Sequence, residues 1–448
     1  MKWRQKRSQR ISIHTQERAT EKARLRVAGL SAPRTVLGLL CLLYLALFVV
    51  RVAISGVAPL IKTDLRLSNT QLGLVFSAFA IPYAIFQLIG GWIGDRWGAR
   101  MVLCVSCGVV AAATALTGAV NGFWALFAVR LALGFGEGAT FPTATRAMSS
   151  WIPESRWGFA QGITHSFSRI GNALAPPLIA WMAVVVTWRG SFAILGLVSS
   201  IWVLLWGWFF RNDPREHPAI TAGDLAELPS AASRKRSPIP WLPLARRILP
   251  VTAVDFCYGW VLWLFLSWIP GFFFENYHLN LQSSAMYSAG VLSAGIVGDT
   301  LGGVISDGLL RKTGNLVVAR RSVIIAGFLG ALVFMMPVIL LHNLRLAAVS
   351  LSLAFFFAEW IVAPIWSVPM DIAPRYAGTA SGMMNFGFAI AGIVSPSTFG
   401  YLVDRTGSWV VPFATSVVLL ILGAVLASRL RPDIPFERPI EAKIPAQS

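Results

Sequence analysis

Long apolar runs recur along the chain, each broken by a short polar stretch, and this alternation dominates its pattern. A run of about 18 or more mostly apolar residues reads as a helix crossing a bilayer, since a helix satisfies its own backbone where water is absent. The pattern predicts helices near residues 36–60, 71–91, 100–120, 123–146, 157–181, 189–210, 248–274, 282–307, 321–342, 345–370, 376–403 and 409–430. The first run, Val36 to Leu60, is too long for a signal-peptide core and has no small-residue cleavage site after it. The expected fold class is an all-α membrane protein with 12 transmembrane helices.

Composition agrees. The chain is 56% hydrophobic and 13% charged, about half the charged share of an ordinary soluble protein. Its four cysteines, Cys41, Cys104, Cys107 and Cys257, all fall inside apolar runs. Cys104 and Cys107 form a C-x-x-C, but no second ligand pair exists, so packing is expected and no metal site.

An even helix count puts both termini on one side, and charge says which. Of the 38 lysines and arginines, 30 fall in segments that this topology makes cytoplasmic, five outside and three within the membrane. Without the N-terminal tail and the middle loop the balance is still 13 to five. The positive-inside rule therefore predicts cytoplasmic termini and an inner-membrane, multi-pass protein. The formal charge of +18 is spread along one membrane face, which speaks against nucleic-acid binding. The basic tail is expected to touch anionic headgroups or to serve topology alone.

The chain is expected to comprise a tail (1–35), a first six-helix bundle (36–211), a proline-rich linker (212–247), a second six-helix bundle (248–430) and a C-terminal tail (431–448). The halves repeat. Gly90-Gly91-Trp92-Ile93-Gly94-Asp95-Arg96 follows the second helix and Gly302-Gly303-Val304-Ile305-Ser306-Asp307-Gly308 follows the eighth, 212 residues later. Such duplication implies a transporter with its substrate site near the bilayer midplane, between the halves. The glycines permit close helix approach, and an aspartate at the cytoplasmic end can latch a neighbouring helix. Asp95, Arg96, Arg100, Arg156 and Asp307 are the expected gate.

Three arginines, Arg51, Arg130 and Arg169, stand inside predicted helices. Each costs roughly 2.5–3.5 kcal/mol on the lenient insertion scale, which argues for a functional pathway. At 1.5 Å rise per residue, Arg51 and Arg130 come out roughly 13 and 10 Å below the outer ends of their helices. Converging guanidiniums suit a carboxylate or phosphate. Glu137 lies two turns after Arg130 on the same side of the fourth helix. Burial and a nearby arginine pull on its proton in opposite directions, which suits a coupling-proton carrier. The plainer alternative is a permanent Glu137–arginine pair. On the fifth helix, Arg169 is expected to pair with Glu137 or to touch substrate, and His165 either carries protons or simply packs. Asp255, Asp299 and Glu359 are the second half's buried acids, without an arginine beside them, so anion capture is expected in the first half.

These residues carry a family resemblance. Arg51-Val-Ala-Ile-Ser-Gly-Val-Ala-Pro59 with Gln71-Leu-Gly-Leu-Val-Phe-Ser-Ala-Phe, and Arg130-Leu-Ala-Leu-Gly-Phe-Gly-Glu137-Gly, resemble the anion:cation symporter family of the major facilitator superfamily. Asp213-Pro-Arg-Glu-His-Pro218, Arg320-Arg321 and Asp371-Ile-Ala-Pro-Arg-Tyr-Ala-Gly378, on to Gly407-Ser-Trp409, are similar too. The resemblance implies uptake of a small organic anion such as a sugar acid, driven by protons or sodium; a monomer is expected to function, and no bound cofactor is expected. It implies that Arg51 and Arg130 bind the substrate carboxylate, that Glu137 couples to the cation, and that Tyr83, Trp366, Ser367 and Asn385 line the site. Val50 stands where many sugar-acid carriers have aspartate, and Phe167 where they tend to be polar. Those departures point to a less hydroxylated or more highly charged acid. A phosphate or organophosphate antiporter would typically carry an arginine in each half, and the seventh helix offers Trp260 and Trp263 instead. A sensor on this fold would usually append a signalling domain, and no metallohydrolase or nucleophile-elbow motif suggests an enzyme.

Overall fold

The computed structural model describes residues 31–153, 156–228 and 239–436. All 12 predicted spans have a helical counterpart there, and strands are absent among the described residues. They are α1 (Ala32–Gly56), α2 (Asn69–Trp97), α3 (Ala99–Thr117) and α4 (Phe123–Trp151). Residues 157–185 form α5 and 188–209 form α6; α7 is Trp241–Asn276 and α8 is Leu281–Thr313. Then come α9 (Ser322–Leu340), α10 (Leu344–Glu359, resuming as Val362–Ile372), α11 (Ala377–Thr406) and α12 (Val411–Ala427). Nine helices are long and apolar enough to cross a membrane by length and composition among the described residues.

Several helices run past the membrane-length runs. α2 reaches Trp97 and α8 reaches Thr313, while α7 begins at Trp241. The polar ends add turns outside the apolar run, since i→i−4 bonding propagates cheaply once a helix is nucleated. α5 and α6 are joined with only Val186 and Thr187 out of helical geometry, Thr187 at φ 67°. Ser191 donates to the Thr187 carbonyl at 2.7 Å and closes that turn.

By packing, the chain divides into two compact units, Met1–Ile54 with Pro82–Arg236 and Ser55–Ile81 with Ser237–Ser448. The last residues of α1, the short helix Ala58–Asp64 and the first part of α2 thus pack with the second half.

Lipid supplies no hydrophobic drive between helices, so close van der Waals packing must hold each unit together. In the first unit, a Cβ added at Gly90 would come within 2.7 Å of the Ala139 Cα, so only glycine lets α2 and α4 meet there. Indoles pin other crossings: Trp202 donates to the Leu39 carbonyl at 2.8 Å and Trp151 to that of Arg211 at 2.9 Å. In the second unit, Trp263 donates to the Phe388 carbonyl at 3.2 Å and Trp268 to that of Pro396 at 3.1 Å, both on α11. The basic tail at residues 1–30 and the segments 229–238 and 437–448 lie outside the described residues.

Candidate functional site

The first unit gathers its charges around α4. Glu137 is fully buried, and Arg51 and Arg130 are almost so. Arg51, on α1, donates Nε to Glu137 Oε1 at 2.9 Å, and a terminal nitrogen reaches the same oxygen. No other described residue hydrogen-bonds Oε2 of that carboxylate. The neighbouring Gly138 lets α4 close on α2, since a Cβ there would meet the Tyr83 carbonyl oxygen at 2.9 Å.

Aromatic faces enclose the guanidinium. Its carbon lies 4.4 Å from the Phe48 ring centre, 5.0 Å from Tyr83 and 5.7 Å from Phe141. Each face attracts a cation through its quadrupole, so the rings hold Arg51 charged without supplying a hydroxyl-recognition group, Tyr83 excepted. The Tyr83 hydroxyl accepts from Gln87 Nε2 at 2.9 Å.

Arg130 lies close enough to Glu137 to attract it electrostatically. Its side chain lines a cavity of about 10 Å³ with Val50, Ile54, Thr114, Thr117, Leu133 and Phe192, roughly room for one water molecule. Arg51 thus pairs directly with Glu137, while Arg130 lines this small cavity.

On α5, His165 is exposed and Arg169 half-buried. The His165 ring stands edge-on to Tyr44, centroids 5.7 Å apart, and Tyr44 in turn meets Phe141 at 5.0 Å. That aromatic run connects His165 to the walls of the Arg51 site. In the second unit, Trp366 and Ser367 are half-buried and Asn385 is buried. Ser367 donates to its own helix, to the Ala363 carbonyl at 3.0 Å. Asp255 and Glu359 are buried, whereas Asp299, expected to be so, is half-buried.

The expected gate residues take distinct places. The side chain of Asp95 lies outside the described residues. Arg96 sits over the Trp92 ring at 5.7 Å, and Arg156 is exposed just before α5. Arg100 bonds within its own unit: its guanidinium donates to the Gly207 carbonyl and its backbone to Asn212 Oδ1 at 2.9 Å. A cation on the last carbonyls of α6 is favoured by the helix dipole. Asp307 accepts from Arg320 at 2.9 Å, and the same guanidinium reaches Asp371 at 3.0 Å and Ser306 at 2.8 Å. Arg320 stands in a π-helical turn, Val317–Arg321, just before α9.

Sequence reasoning missed the aromatic walls Phe48 and Phe141, because a phenylalanine in an apolar run carries no signal of its own. It also missed Asn172, a buried amide on α5, where a polar residue amid apolar ones was the available signal.

The profile of the Major Facilitator Superfamily matches residues 40–396 and 318–447. The chain is similar to the "Probable sulfoacetate transporter SauU" of Cupriavidus necator, 46% identical over 410 residues, covering 91% of this chain and 95% of that one. It is 29% identical to the "Hexuronate transporter" of Bacillus subtilis over 400 residues, covering 88% and 92%. Among solved structures, a bacterial homolog of the human lysosomal transporter Spinster, inward-facing and unoccupied, matches at TM-score 0.72 and 17% identity. It covers 89% of this chain and 96% of that one.

Proposed function

The chain belongs to the Major Facilitator Superfamily, and we propose that it is a proton-coupled importer of a small, poorly hydroxylated organic dianion such as a sulfonated acetate. It is a multi-pass membrane transporter of the organic-anion type. The observation that carries the finer reading is the Arg51–Glu137 pair, buried among rings, with Arg130 two turns away on α4.

Such a pair couples two ligands through one group. An entering anion competes with Glu137 for the Arg51 fork, and a carboxylate stripped of its cation in a dry setting takes up a proton. Loss of that proton on the far side restores the pair and expels the anion. Arg130 or Arg169 would take the second negative group. Apolar walls at Phe48 and Phe141, with Val50 and Phe167 where many sugar-acid carriers are polar, favour an acid that needs few hydroxyl partners. The name of the C. necator relative supports that substrate class. Tyr83 is the proposed lining within the first unit, and His165 a proton relay to Glu137. Sodium is the alternative coupling ion. The gate of Asp95, Arg96, Arg100, Arg156 and Asp307 remains part of this reading, in an inner-membrane monomer with cytoplasmic termini.

Purified protein in liposomes tests it. Labelled sulfoacetate should accumulate saturably with an acidic exterior and not without the gradient, and a hexuronate should be carried poorly. Accumulation of the hexuronate alone would overturn the substrate class. Uptake that follows sodium and ignores pH would overturn the coupling ion.

A further inference from the structure

The first residues of α2 are tied to the end of α11, 335 residues away. Asp404 Oδ1 accepts from the Asn69 backbone at 3.1 Å and from Asn69 Nδ2 at 2.8 Å. Its Oδ2 accepts from the Thr70 backbone and from the Thr70 hydroxyl, both at 2.6 Å. One carboxylate thus receives four hydrogen bonds from a helix N-terminus, where orphan donors and the helix dipole favour an anion.

α2 does not need this partner in order to form. Ser68 and Gln71 already make a reciprocal cap: Gln71 N donates to Ser68 Oγ at 3.1 Å and Ser68 N to Gln71 Oε1 at 3.0 Å. The Asp404 bonds are therefore extra to helix formation, and what they fix is the contact of α2 with α11.

Behind the clamp runs a seam of backbone contact. A Cβ at Gly400 would lie 2.1 Å from the Asn69 carbonyl oxygen, and one at Gly73 would lie 2.4 Å from that of Pro396. Deeper along the same face, Ala80 touches the position of Gly392. Ser77, between Gly73 and Ala80 on that face, is buried. Trp268 flanks the seam, stacked on Phe399 and edge-on to Phe76. Beside it, Lys62 of the short helix Ala58–Asp64 binds both oxygens of Glu275 at the end of α7, at 2.8 and 3.1 Å.

All these bonds join residues 62–80, which belong by sequence to the first repeat, to helices of the second. They lie at the ends of α1, α7 and α11 and the start of α2, on the membrane side opposite the termini.

We propose that Asp404, with the Lys62–Glu275 pair beside it, is the lock of the outer gate: it holds the start of α2 on α11 and must let go for substrate to enter from outside. Asp404 is a positioning residue that acts through Asn69 and Thr70 and does not touch the anion. The lock is a bistable contact, since charge-assisted bonds at its rim and glycine-to-backbone contact behind it form or break together.

A cysteine placed by Ser77→Cys reads the seam without reference to any substrate. In intact cells it is treated with a membrane-impermeant maleimide, with the chain carrying only its native cysteines as the baseline. Labelling should be slow behind an intact lock. Asp404→Ala should raise its rate about tenfold or more, the weight of a lost charge-assisted hydrogen bond. Lys62→Glu should raise it as well, and the exchanged pair Lys62→Glu/Glu275→Lys should bring it back. Should Asp404→Ala fail to reach the membrane, Thr70→Ala removes one donor and should act in the same direction. Unchanged labelling in a correctly inserted Asp404→Ala or Thr70→Ala variant overturns the proposal, and so does an exchanged pair that labels as fast as Lys62→Glu.

Discussion

Arg51 reaches Glu137 through two nitrogens that converge on a single carboxylate oxygen, across 86 residues of sequence. A pair closed on one oxygen is easier to exchange than one in which both oxygens are matched, because the arriving anion need displace only that oxygen.

Arg51→Lys should therefore be as damaging as Arg51→Ala. A lysine ammonium cannot make the two-nitrogen fork or lie flat among Phe48, Tyr83 and Phe141. Loss of the fork breaks the buried pair at Glu137, a cost on the order of 3–5 kcal/mol. Initial uptake rates in liposomes should drop at least about 100-fold for both variants. Saturable uptake by the lysine variant within tenfold of the parent would show that charge alone suffices.

Glu137→Gln should separate accumulation from exchange. The amide keeps the shape and cannot carry a proton, so gradient-driven accumulation should vanish while counterflow of preloaded substrate persists. Counterflow and net uptake measured on one preparation give the comparison. Accumulation that survives would move coupling to His165 or to the second half.

Arg320→Ala should destabilise more than Asp307→Ala. The guanidinium is mostly buried and serves Ser306, Asp307 and Asp371, whereas the Asp307 side chain is 60% exposed. Removing the arginine strands the 18%-exposed Asp371, at a cost of roughly 2–4 kcal/mol, while the exposed partner is worth about 1 kcal/mol or less. Melting in detergent ranks the two, and equal shifts would remove Asp371 from the account.

His217, outside the membrane, gives a pH signature. It is buried against Trp151 and Phe209, with ring centres 5.3 and 4.7 Å away, and its Nδ1 accepts from the Ala219 backbone at 3.2 Å. Burial, helped by Arg211, holds its pKa below the usual histidine value. The unfolded chain then binds the proton first, so stability falls as pH drops below about 6.5. His217→Asn keeps an acceptor and does not titrate, so its melting temperature should fall less between about pH 7.5 and 5. A slope equal to the parent's would assign the proton uptake to another group.

The spans were legible because lipid tolerates few sequences, and a charge within them stands out by its cost. Arg51, Arg130 and Glu137 could be picked out on that ground alone. Their partners could not. Helical spacing relates residues on one helix, so it put Glu137 beside Arg130, and only the packing of α1 on α4 brings Arg51 to its oxygen. The rings around Arg51 were invisible for the opposite reason, since Phe48 and Phe141 look like any lipid-facing or core position. The lock at Asp404 escaped as well, because a carboxylate at a helix end usually faces water. The turn at Val186–Thr187 falls in the expected gap between the fifth and sixth spans, whereas the break at Trp360–Ile361 left no gap in hydropathy to mark it.

The two-residue turn at Val186–Thr187 has a mechanical consequence. So short a connection has no slack, so α5 and α6 tilt as one stiff hairpin. Phe192, about one turn into α6, forms part of the wall beside Arg130, so a tilt of the hairpin would move that wall.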